Sequence, residues 1–314
     1  MRRGNRAGGR SAAVMKRTVF RGSGVALVTP MRQDFSVDYE ALGRLVDFHL
    51  ARKTDALVVV GTTGEAATLS PEERLGVISF CRQRTGGILP VVAGAGGNCT
   101  REAAEFSKRA EAAGADALLH VTPYYNKPSQ EGLYRHFMEM SRAVRIPIIL
   151  YNVPSRTGVN LSADTCRRLA EQENIVAVKE AGGSLSQVAD IRRACGSLLD
   201  IYSGNDDQIT AVLALGGKGV ISVLANLIPE EVHRICYSFF RGDAALSERE
   251  QIYWLPLIRA LFRESNPAPV KEAMRLAGMD AGPCRLPLCE LGGAAREELR
   301  RAMEERGLLA QENA

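Results

Sequence analysis

Eight short apolar runs recur along the chain. They are GVALVTP from Gly24, ALVVVG from Ala56, PVVAGAG from Pro90, ALLHVTP from Ala117, PIILYNVP from Pro147, IVAVKEA from Ile175, DIYSGN from Asp200 and GVISV from Gly219. Most lie about 20 to 32 residues apart, the length of one strand-plus-helix unit. Continuous apolar runs this short suit strands buried on both faces. Helical patterns fill the gaps. SVDYEALGRLVDFHLAR spaces Leu42, Leu45, Val46 and Phe48 at helical intervals behind the cap candidates Ser36 and Asp38. SPEERLGVISFCRQR opens with Ser70, Pro71 and Glu73, which predict an N-cap, a first-turn proline and a capping box. TREAAEFSKRAEAAG reads as a helix capped by Thr100 and ended by Gly114.

Strands alternating with helices predict a parallel sheet. The number eight favours a closed TIM (β/α)8 barrel over a doubly wound sheet. ALSEREQIYWLPLIRALFR, PAPVKEAMRLAG and GAAREELRRAMEERG follow as further helices, giving the barrel a C-terminal helical appendage. The expected division is a tail over residues 1–18, a barrel over 19–242 and a helical region over 243–314. The apolar faces of that region suit packing against a second subunit.

Composition narrows the function. The apolar share of 46% and charged share of 24% are those of a globular protein. No apolar run nears the ~18 residues that span a bilayer, which argues against a membrane protein. The net charge of +4 misleads, because Arg2, Arg3, Arg6, Arg10, Lys16 and Arg17 crowd the first 18 residues. Without them the remainder is slightly acidic, which argues against nucleic acid as a partner. That N-terminal stretch lacks an apolar signal region and reads as a disordered tail or a misassigned start, with Met15 an alternative first residue. Seven scattered cysteines, with no CxxC and no histidine at zinc spacing, point to a reduced, cytoplasmic protein without a metal site.

The reactive side chains gather where the strands stop: GTTGE at Gly61–Glu65, TPYYN at Thr122–Asn126, YNVPSRTG at Tyr151–Gly158, Lys179, and SGND at Ser203–Asp206. In a barrel these ends share one mouth. Lys179 there would be desolvated, its pKa lowered, and its neutral amine able to attack a ketone as a Schiff-base nucleophile. Tyr151, Tyr125 and Thr62 are available for proton transfer. The GTTGE turn offers backbone N–H groups to a carboxylate, and Arg156 can clamp a second one. One amine, a hydroxyl relay and two anion sites suggest condensation of a 2-oxo acid with another anion.

Plainer alternatives exist for each feature. Strand-end lysines commonly snorkel to water, paired tyrosines commonly pack, and an arginine in a loop commonly forms an ion pair. GAGGNCT and LGGKGV lack the full dinucleotide and Walker patterns. His49 and His136 fall within helices and read as structural.

GTTGEAATLSPEE, TPYYNKPSQEGLYRHF, ILYNVPSRTG, VKEA, SGND, GVISV and the later NPAPVKEAM together resemble the class I pyruvate aldolases, the family of the dihydrodipicolinate synthases and N-acetylneuraminate lyase. YNVPSRTG favours the synthase branch. The resemblance runs from about Phe20 to Leu309. It implies condensation of pyruvate with L-aspartate 4-semialdehyde, on the route to lysine and diaminopimelate, without metal or organic cofactor. Lys179 would carry the Schiff base and Tyr151 the central proton, with Thr62 and Tyr125 completing a relay in which the tyrosine crosses a dimer interface. Thr62 and Thr63 would hold the pyruvate carboxylate and Arg156 that of the semialdehyde, with Gly204 and Ile221 shaping the site. The family's usual assembly, a homotetramer built as a dimer of dimers, is implied too. Asn98, Glu102 and Tyr124 match a lysine-binding regulatory set. Pro71 and Arg74 stand where some lysine-sensitive members carry histidines, so weak lysine feedback is expected. Asn205 stands where some relatives have aspartate. The alternatives are an aldolase for a sugar-derived 2-oxo acid, which needs no second carboxylate clamp, and a non-catalytic barrel, which would have lost the lysine or the relay.

Overall fold

The computed structural model describes residues 16–310. Its eight parallel strands are β1 Gly22–Ala26, β2 Ala56–Val59, β3 Val91–Gly94, β4 Ala117–Val121, β5 Ile148–Asn152, β6 Ile175–Glu180, β7 Asp200–Ser203 and β8 Gly219–Ser222. They pair in chain order, and β8 returns to β1 to close the barrel. Each matches one of the eight apolar runs.

Two apolar clusters follow from the alternation of side chains along each strand. One lies between strands and outer helices; the other fills the barrel, with Ala56, Val58, Val92, Ile149, Val176 and Ile221 among its members. The floor is closed by Phe20 stacked on Tyr202, ring centres 4.3 Å apart, whose hydroxyl donates to the Phe20 carbonyl at 2.6 Å.

The expected tail lies outside the described residues from 1 to 15. At its end, however, the Lys16 ammonium donates to the carbonyls of Ala170, Gln172 and Ile175 at 2.5 to 2.7 Å, beneath β6. This contact falls before the boundary at residue 18.

The helix caps follow the sequence with one correction. Asp38 accepts from the N–H groups of Glu40 and Ala41 ahead of helix Tyr39–Ala51, and Ser70 with Glu73 forms the capping box of Pro71–Thr85. Thr100 does not cap. Cys99 occupies that position, and the Thr100 hydroxyl instead meets His136 Nδ1 at 2.9 Å, because a buried histidine needs a polar partner more than the helix end does. His49 is likewise buried, with Nδ1 2.8 Å from the Thr54 hydroxyl. Helices Ala244–Leu261, Ala268–Leu276 and Gly293–Glu304 form the C-terminal region.

Candidate active site

A cavity of about 160 Å³ opens at the C-terminal ends of the strands, lined by Thr62, Thr63, Tyr151, Arg156, Lys179 and Gly204, among others. Lys179 reaches it from β6 and Tyr151 from β5. The two are register partners, and the Lys179 Nζ stands 4.4 Å from the centre of the Tyr151 ring. Both are only 6% exposed. The next pair, Asn152 and Glu180, points away from the barrel. There the Glu180 carboxylate accepts from Asn152 Nδ2, Gln187 Nε2 and the Gly182 N–H. Burial raises its pKa, and those hydrogen bonds oppose the rise. Adjacent residues of VKEA thus serve opposite faces: the lysine serves the cavity, the glutamate braces the loop behind it.

Gly204 ends β7 where space is tight. Its N–H donates to the Glu180 carbonyl at 2.7 Å, and a Cβ there would come 2.5 Å from the Ala181 methyl. Beyond it Asp206 is fully buried, its Oδ2 accepting from the N–H groups of Val223 and Leu224. Burial raises the Asp206 pKa, against the hydrogen bonds from Ser222 and the backbone and the charge of Lys179. Ile221 lies in β8 and packs inside the barrel, wholly buried.

The turn after β2 is strained. Val60 and Glu65 both have positive φ, 46° and 56°, in a region that costs a non-glycine residue about 1 to 3 kcal/mol. Outside groups hold it. The Thr29 hydroxyl donates to the Gly64 carbonyl at 2.8 Å, and Asn266 Nδ2 donates to the Thr63 hydroxyl at 2.9 Å. Glu65 forms a buried ion pair with Lys271, Nζ to Oε1 2.6 Å, and accepts the Arg285 N–H at 2.9 Å.

Arg156 borders this cavity and a second of about 390 Å³, which also takes in Thr62, Glu65, Arg74, Tyr124 and Tyr151. Its Nη2 lies 3.5 Å from the Asn266 carbonyl oxygen, and among the described residues no carboxylate pairs with it. Arg74 stacks its guanidinium over Phe106 at 3.7 Å and donates to the Gly94 carbonyl at 2.7 Å. Burial lowers its pKa to about 10.

The cavity therefore gathers Lys179, Tyr151, Thr62, Thr63, Arg156 and Gly204. Tyr125 stands apart, 90% exposed on a left-handed backbone with φ 72°. Asn98 and Glu102 border neither cavity, although the Asn98 carbonyl accepts from Asn126 Nδ2 at 2.9 Å. Sequence reading gave no role to Asn266 or Lys271 and took Asp206 only as the last residue of SGND. A signal for Lys271 was present: it lies three residues before Met274, on the apolar face of its helix, where an unpaired lysine would be costly. Among the described residues no cluster of His, Cys, Asp and Glu is arranged to hold a metal, and no helix is long and apolar enough to cross a membrane.

The family model described as the dihydrodipicolinate synthetase family matches residues 19–306. The chain is 52% identical over 295 residues to the 4-hydroxy-tetrahydrodipicolinate synthase of Caldicellulosiruptor bescii, covering 94% of this chain and 100% of that one. It is 49% identical over 291 residues to the same enzyme of Clostridium perfringens, covering 93% and 100%. Among solved structures, the dihydrodipicolinate synthase of Aquifex aeolicus superposes with a TM-score of 0.91 at 44% identity, covering 93% and 100% of the two chains. That of Thermotoga maritima gives 0.91 at 40% identity with the same coverage.

Proposed function

This chain belongs to the dihydrodipicolinate synthetase family, lyases that condense pyruvate with L-aspartate 4-semialdehyde, and we propose that here the reaction runs through a Schiff base on Lys179. The observation that carries the assignment is the buried Lys179 amine beside Tyr151, in a cavity shared with Thr62, Thr63 and Arg156.

The Lys179 amine attacks the pyruvate ketone carbon, and loss of water leaves an iminium. Loss of a methyl proton gives an enamine, whose carbon bonds to the semialdehyde carbonyl while the aldehyde oxygen takes a proton. The amino group of the second substrate then attacks the iminium carbon, and Lys179 departs as the free amine. The ring formed is 4-hydroxy-tetrahydrodipicolinate. Each step moves a proton, and the Tyr151 phenol is the group beside the nucleophile that can carry it. Thr62 and Thr63 hold the pyruvate carboxylate, and Arg156 takes that of the semialdehyde in a bidentate pair. Gly204 lines the wall, and the wholly buried Ile221 supports the barrel interior without lining either cavity. Arg156, free of a carboxylate partner among the described residues, favours this reading over an aldolase for a hydroxylated sugar aldehyde.

Tyr125 is the third member of the relay in this reading, acting in a partner subunit's cavity. Its exposure and left-handed backbone support that role, and a homotetramer made of two such dimers supplies the partner. Sedimentation equilibrium tests the assembly, and a monomer would contradict it. The free thiols suit a reducing cytoplasm. The barrel over 19–242 carries the chemistry, and the helices Ala244–Leu261, Ala268–Leu276 and Gly293–Glu304 of the C-terminal region flank it. Asn98, Glu102 and Tyr124 form the effector set, with Arg74 opposing a cationic ligand. A coupled assay comparing aspartate semialdehyde with sugar aldehydes tests the substrate: turnover of the sugar aldehydes alone would overturn it.

A further inference from the structure

The carboxylate-binding turn is held from outside the barrel. Its own backbone supplies the Glu65 N–H to Thr62 carbonyl bond at 3.1 Å and the Ala66 N–H to Gly61 bond at 3.2 Å. Those bonds leave the Thr63 hydroxyl and the left-handed Glu65 to be fixed by other groups, and these come from the C-terminal region. Asn266 Nδ2 donates to Thr63, Lys271 pairs with Glu65, and the Arg285 N–H donates to the other carboxylate oxygen of Glu65. The Glu65 and Lys271 side chains are 1% and 3% exposed, so their charges are matched away from water. Asn266, 5% exposed, also offers its carbonyl to Arg156, and so touches the supports of both anion sites.

We propose that Asn266, Glu65 and Lys271 are positioning residues for pyruvate: a clamp from the C-terminal helical region that aims Thr62 and Thr63 at its carboxylate. The inference rests on the reading of those threonines given above. Two physical effects combine. The hydrogen bond to Thr63 fixes the direction of a hydroxyl that would otherwise rotate. The Lys271 ammonium cancels a carboxylate standing three residues from an anion site, where an unpaired Glu65 would repel the substrate. Loss of Lys271 alone therefore leaves a charge that weakens pyruvate binding, whereas in a purely structural pair the same loss weakens folding and leaves affinity in place.

The test is borohydride trapping at increasing pyruvate concentrations, with the fraction of modified Lys179 read by peptide mapping. It is run on the full chain and on its Asn266→Ala and Lys271→Met variants, the second of which leaves the Glu65 carboxylate uncancelled. Half-saturating pyruvate should rise about tenfold in each, roughly the worth of one hydrogen bond, while modification at saturating pyruvate stays complete. A merely structural role lowers the melting temperature or the modifiable fraction and leaves half-saturation in place. Unchanged half-saturation in either variant overturns the clamp. Asn266→Ser and Lys271→Gln, smaller changes that still remove the amide donor and the ammonium, give the same readouts if their counterparts fail to fold. No adduct on Lys179 in the unaltered protein would defeat the Schiff-base reading itself, a distinct outcome.

Discussion

Tyr151 and Lys179 occupy one rung of the β5–β6 ladder, with the lysine ammonium 4.4 Å from the centre of the tyrosine ring. Because register sets which side chains share a face, this rung places a phenol and an amine together inside the barrel mouth. Substituting Tyr151→Phe keeps the ring and removes the proton. The turnover number is expected to fall about a hundred- to ten-thousandfold, the usual worth of general acid–base catalysis. Steady-state kinetics against both substrates measures it, and a loss under fivefold would remove Tyr151 from the relay.

Arg156 answers to a different substrate. Its truncation to alanine removes charge-assisted hydrogen bonds worth about 1.5 to 3 kcal/mol, so KM for aspartate semialdehyde should rise about ten- to a hundredfold. Pyruvate half-saturation should move far less. Equal shifts for both substrates would assign the guanidinium elsewhere.

Much of this was legible in the chain. The eight apolar runs are the eight strands, since parallel strands covered on both faces must be continuously apolar. The residues just beyond them converge because a barrel has one C-terminal face. Thr100 failed as a cap because a long-range partner, His136, competes for its hydroxyl, and local propensity carries no information about that. Asn266 and Lys271 were read only as parts of a later signature and helix. Their partners, Thr63 and Glu65, lie about 200 residues earlier, and no periodicity reports a contact of that range.

Feedback by L-lysine should be weak. The cavity shared by Tyr124 and Arg156 also holds the Arg74 guanidinium, fixed over Phe106 and on the Gly94 carbonyl, where it repels a second cation. An inhibition curve measures this, and a midpoint in the low millimolar range would contradict it.

Acid should destabilise the fold. Burial lowers the pKa of His49 and His120 to about 3 and that of His136 to about 4. Unfolded, these imidazoles titrate near 6.5, so below that pH the unfolded chain binds protons that the folded chain refuses. Stability is full above pH 6.5 and falls towards pH 4, by roughly 4 kcal/mol per pH unit near pH 5 for three such groups. Glu180 and Asp206, with raised values, bind protons more readily when folded and offset part of the loss. Urea midpoints at pH 7 and pH 5, at fixed protein concentration, check the sign. A higher midpoint at pH 5 would refute it.

The most direct test of the central claim is covalent. Reduction with borohydride in the presence of pyruvate should fix one three-carbon adduct per chain, and peptide mapping should locate it on Lys179. Lys179→Arg should abolish both adduct and turnover. An adduct on any other lysine, or none at all, would contradict the account.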